Sequence, residues 1–111
     1  MPVIERFSFQ SAGEFEARIK AGVEPWLPRL AGTAFHVRMH RRGFKGRLSS
    51  QSEELFLDHY IVDRLRQRDK EANIDFSDPD LIIALETVAQ VGGLSLWNRE
   101  QRQRYPLLKL D

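Results

Sequence analysis

One stretch constrains this chain more than any other: an alternating run that passes directly into a basic, glycine-bearing loop and then a helix start. It covers Thr33–Leu65 and reads TAFHVRMHRRGFKGRLSSQSEELFLDHYIVDRL. Phe35, Val37 and Met39 alternate with His36, Arg38 and His40, the period of two expected of a strand with one buried face and one cationic face. Arg41, Arg42, Lys45 and Arg47 then crowd around Gly43 and Gly46. Ser50, with Glu53 three residues on, predicts a capping box that opens the helix.

The charge pattern gives this stretch its chemistry. The formal net charge of the 111 residues is only +1, yet between Pro25 and Ser52 stand Arg29, Arg38, Arg41, Arg42, Lys45 and Arg47 with no Asp or Glu. The balancing acids Asp69, Glu71, Asp75, Asp78, Asp80 and Glu86 follow later, against the single base Lys70. One cationic surface on a nearly neutral molecule is the expectation. A chain of this length is expected to form one domain, residues 1–111, with 1–10 as an arm and 98–111 as a closing tail, too small for catalysis and recognition in separate domains. Zero cysteines exclude disulfides, thiolate nucleophiles and cysteine-based zinc sites. With no long apolar run and an N-terminus that carries Glu5 and Arg6, the expected compartment is the cytoplasm, away from membranes.

The remaining segments complete an α/β pattern. Residues 1–10 alternate weakly, as an edge strand or an extended arm. Ser11 caps a helix with Glu14, and Phe15, Ile19 and Val23 repeat along it at helical spacing. Pro25 fits the first turn of a short second helix with Trp26, Leu27 and Leu30. The helix after the basic loop runs from about Ser50 to Arg68 and sets Leu57, Ile61 and Leu65 in a stripe widened by Leu55 and Val62. LIIALETV (81–88) reads as a central strand, Gln90–Gly93 as a turn, and Leu94–Trp97 as a further strand paired with it. The predicted order is helix, helix, strand, helix, strand, strand: a small mixed sheet with helices packed on it.

In FHVRMHRRGFKG followed by SSQSEEL, in SDPDLIIALETV and in GLSLW, the chain resembles the THUMP domain, an RNA-binding module of certain tRNA thiouridine synthetases, RNA methyltransferases and pseudouridine synthases. The resemblance spans roughly Thr33–Trp97. It implies an α/β domain that binds structured tRNA near the acceptor end, with contacts in the basic strand-to-helix region. Such domains usually sit beside a ferredoxin-like domain and a catalytic domain. A stand-alone member resembles instead an adaptor that presents tRNA to a separate modifying enzyme, of the methyltransferase, thiouridine synthetase or acetyltransferase type.

The residues weighed by their chemistry point the same way. Lys and Arg release counterions from phosphates, the glycines let the backbone approach, and Phe44 is placed to stack on an unpaired base. The expected RNA-binding set is therefore Arg38, His40, Arg41, Arg42, Phe44, Lys45, Arg47 and Ser50, with Arg99, Arg102 and Arg104 of the tail as a second cluster. The bland alternatives are a solvated loop with Phe44 in the core, Ser50 serving only as a cap, and a tail in which Trp97 and Tyr105 are core. His36 and His40, four residues apart on a strand, are about 13 Å apart and do not make a metal site; they extend the cationic face at low pH or hydrogen-bond to RNA. Ser50, His59 and Asp63 fail as a catalytic trio, because Ser50 stands roughly 13 Å along the helix axis from His59. No cofactor motif is present. The expected activity is binding without catalysis. The rival reading is a protein-interaction module that dimerises or docks on an enzyme through its apolar tail and a strand edge.

Overall fold

The alternation seen in 34–42 becomes the strand from which the sheet is laid out. The computed structural model describes residues 3–42 and 48–104. Five strands, β1 (Val3–Ser8), β2 (Ala34–Arg42), β3 (Asn73–Ile74), β4 (Leu81–Val88) and β5 (Val91–Asn98), form one sheet in the order β1-β5-β4-β2-β3. β2 runs parallel to β3 and β4, while β4, β5 and β1 are mutually antiparallel, so the sheet is mixed. Four α-helices accompany it: α1 (Ala12–Val23), α2 (Leu27–Leu30), α3 (Ser50–Gln67) and α4 (Arg99–Arg104), with a single 3₁₀ turn at Glu24–Trp26 ahead of α2.

The core fills the space between the helices and one sheet face. Phe35 and Val37 of β2, Ile83 and Leu85 of β4 and Leu94 and Leu96 of β5 meet Phe15, Ile19, Leu57, Ile61 and Leu65 from α1 and α3, all buried. Each such side chain contributes about 1.5–3 kcal/mol through burial. α1 begins where Ser11 accepts the Glu14 N–H at 3.1 Å, and its Gly22 lets it press on β5, where a Cβ would stand 2.4 Å from Leu94 Cδ2. Leu55, expected on the α3 stripe, is instead 43% exposed.

Of the two readings of residues 1–10, the edge strand is the one found, Val3–Ser8 pairing with β5, and two features depart from the sequence reading. The acidic link holds β3, too short to leave a periodic signal, which pairs with Ala34 and Phe35. β4 and β5 are joined by only Ala89 and Gln90, so Gly92 and Gly93 are strand residues and not turn residues. Gly92 is required there, because a Cβ would lie 2.5 Å from the Phe7 ring. Ala89 takes up the turn with φ 52°, in the left-handed region usually left to glycine.

Candidate nucleic-acid interface

Side chains alternate across β2, and this divides the expected basic cluster. Arg38, His40 and Arg42 project from the sheet face opposite α1 and α3: Arg38 half-buried, His40 and Arg42 exposed. Among the described residues, none of the three side chains makes a hydrogen bond or an ion pair. Arg6, on β1, shares that face through the register His40–Glu86–Gly93–Arg6. Arg41 points the other way, toward its register partner Thr87, and its Nε and Nη1 are buried with no hydrogen-bond partner. The sequence marked Arg41 and Arg42 as equivalent, whereas the strand separates them.

His36 does not extend the cationic face. It is 6% exposed, with Nδ1 3.5 Å from the buried Asp58 Oδ2 and its ring edge-on to Phe76 at 4.6 Å. Asp58 belongs to a second device that sequence reasoning missed. Beyond β3, the outer edge of β2 has no strand neighbour, and its inward amides are taken by α3: the Val37 N–H donates to Asp58 Oδ1 at 3.1 Å and the Met39 N–H to Glu54 Oε2 at 2.7 Å. Amides two residues apart on a strand match carboxylates one helical turn apart. The available signal was Glu54 and Asp58 at i, i+4, flanking the apolar stripe.

The helix start is shifted by one residue from the expected capping box. Ser49 is the cap, accepting the Ser52 N–H at 3.3 Å, and Ser50 is the first helical residue. Glu53 is thereby freed from capping and lies buried with Oε1 unpartnered. Burial, reinforced by a hydrogen bond and charge from Glu16 of α1, pushes its carboxyl up to about 7. Phe44, Lys45 and Arg47 lie outside the described residues, as does the apolar end of the tail.

Two of the tail arginines are engaged elsewhere. Arg99 donates to the Asp78 and Pro79 carbonyls and pairs with the Asp78 and Asp80 carboxylates at 3.4 and 3.3 Å. Arg102 donates to the Pro79 carbonyl at 2.7 Å. The same loop is tightened by Asp75, whose Oδ1 accepts the Ser77 and Asp78 N–H groups and whose carboxyl is thereby lowered. Arg104 is in α4. Trp97 is buried, with Nε1 donating to Ser95 Oγ at 2.7 Å. These residues are at the Leu81–Asn98 end of the β4–β5 pair, and Arg42 is at the Val88 end, about 23 Å away along the strand.

Further cations are held by acids on the helix layer. Arg64 grips Glu24 through both oxygens at 2.8 and 3.3 Å and holds its carboxyl below the usual range, with the Tyr60 hydroxyl donating to the same group. Among the described residues, no three His, Asp or Glu side chains converge as metal ligands, and no helix is long and apolar enough to cross a membrane.

Neither a protein-family profile nor a curated protein sequence matches the chain. Solved structures share its fold. PH1313 from Pyrococcus horikoshii is 14% identical with a TM-score of 0.62 over 85% of this chain and 30% of its own. TrmN from Thermus thermophilus is 17% identical, with a TM-score of 0.64 over 83% of this chain and 26% of its own. A 4-thiouridine synthetase solved as an RNA complex with bound ATP is 15% identical, with a TM-score of 0.61 over 81% and 23%. The chain therefore spans less than a third of the length of each of these proteins, 23–30%.

Proposed function

With the THUMP fold that it shares with these structures as the premise, we propose that this chain is an RNA-binding module for structured RNA, tRNA above all. The observation that carries the reading is the column of Arg38, His40 and Arg42 on the sheet face away from α1 and α3, whose side chains make no ion pair among the described residues, in a molecule where Arg64, Arg99 and Arg102 are all engaged. Two guanidinium groups four residues apart along a strand, about 13 Å, with the His40 imidazole between them, suit contacts along a phosphate backbone. One of the neighbours was solved with RNA, which agrees with this reading.

The finer reading is that the RNA element is the acceptor end of tRNA and that the chain, acting in the cytoplasm, presents it to a separate modifying enzyme. It contributes recognition and no catalytic group. The test is titration of labelled tRNA at several salt concentrations. The double variant Arg38→Ala, Arg42→Ala is expected to weaken binding and to lower the slope of log K against log salt by about two. Absence of binding at low salt, or an unchanged slope in the double variant, overturns the proposal.

A further inference from the structure

We propose that the open sheet face beside β2 holds one unpaired guanine of the bound RNA, with Glu86 and Arg6 reading its two hydrogen-bonding edges. This rests on the RNA-binding reading and narrows it to one base at one place. Glu86 of β4 stands opposite Gly93 of β5, and Gly93 opposite Arg6 of β1. Residues directly opposite share a sheet face, and this face also carries His40, the register partner of Glu86. Gly93 leaves a bare patch of backbone between the two charges; a Cβ there would meet nothing nearer than the Glu5 carbonyl at 4.0 Å. Over this patch opens a shallow cavity of about 260 Å³, walled on the hairpin side by Val88 and Val91. Those valines are 59% and 53% exposed.

The shape and the charges select a ligand class. A flat floor and apolar walls take the π-face of a ring, and the cavity is below the roughly 300 Å³ at which sites for drug-sized ligands begin, so it suits a base and not a whole nucleotide. Glu86 and Arg6 are exposed, and among the described residues their side chains make no hydrogen bond or ion pair. Their backbones are two strand spacings apart, roughly 10 Å, with the open patch between them. Guanine alone among the four bases offers two adjacent donors, N1–H and the N2 amine, on one edge and two adjacent acceptors, O6 and N7, on another. A carboxylate accepts from the first pair and a guanidinium donates to the second. Adenine and cytosine set a ring acceptor beside the amine they would present to Glu86, and uracil flanks its one donor with carbonyls; the carboxylate repels each of these.

The experiment is fluorescence anisotropy on short uridine strands carrying one central guanosine, adenosine, cytidine or inosine, alongside GMP as the free nucleotide. The guanosine strand is expected to bind about tenfold tighter than the adenosine strand, with inosine, which lacks the N2 amine, between them. Glu86→Gln is expected to erase that preference, partly by tightening the adenosine strand, and to leave the salt slope unchanged. Equal binding of all strands, a preference that survives Glu86→Gln, or GMP binding as tightly as the guanosine strand overturns the proposal. Failure of the RNA-binding reading looks different: no strand and no tRNA binds at low salt, and both proposals fall together.

Discussion

Glu53 shows how much one misplaced helix boundary conceals. Read as the partner of a capping serine, it is a surface residue; one position further into the helix, it turns inward and meets Glu16 in a nearly dry contact. Its carboxyl binds a proton more tightly in the folded chain, near 7, than in the unfolded chain, near 4.5. The protonated form therefore contributes stability that is complete below about pH 4.5 and is lost as the pH rises through 7, a few kcal/mol in all. The melting temperature is expected to fall between pH 5 and pH 8, and Glu53→Gln to flatten that decline and raise stability at pH 8; a parallel decline in the variant would contradict this assignment. At more acid pH the sign reverses, because Glu24 and Asp75 have lowered pKa values and lose their contributions only on protonation.

Among the elements, β2 and α3 form the least legible pair. The strand, the helix and their buried residues Phe35, Val37, Leu57 and Ile61 followed from periodicity, since alternation and helical spacing report which face meets the core. Periodicity does not report edges. Nothing in the pattern says that β3 covers only Ala34 and Phe35 and that carboxylates from α3 close the edge beyond it. Asp58→Ala would leave the buried Val37 N–H unpaired and is expected to cost about 1–3 kcal/mol in denaturant unfolding. Asp58→Asn, whose side-chain carbonyl still accepts, is expected to lose less. Equal losses would show that the charge facing His36, and not the hydrogen bond to the strand, is what matters. β1 and the glycines of β5 were obscured for a related reason. Gly92 and Gly93 read as a turn until Phe7 is seen lying over the first of them.

For the whole molecule, segregation of charge was visible in the sequence, but its geometry was not. The acid-free window located β2, while the pleat decided that Arg38 and Arg42 share one face and that Arg41 leaves it. The tail cluster shows the opposite error of scale: Arg99 and Arg102 look available beside Arg104, yet acids and carbonyls about twenty residues earlier in the chain occupy them. Arg99→Ala is accordingly expected to leave the salt slope of RNA binding unchanged while loosening the 78–80 loop, and loss of a full unit of slope would place a phosphate contact at that end.

The closure of β2 by Glu54 and Asp58 has a consequence for assembly that can be put in the language of polymer growth. A sheet with two long free edges behaves as a bifunctional unit and extends indefinitely by strand addition. Among the described residues, the Val37 and Met39 amides on the β2 side are taken by the chain's own side chains, while β1 forms the other edge. Growth by strand addition is thereby opposed on the β2 side, where the fold carries its own chain terminator.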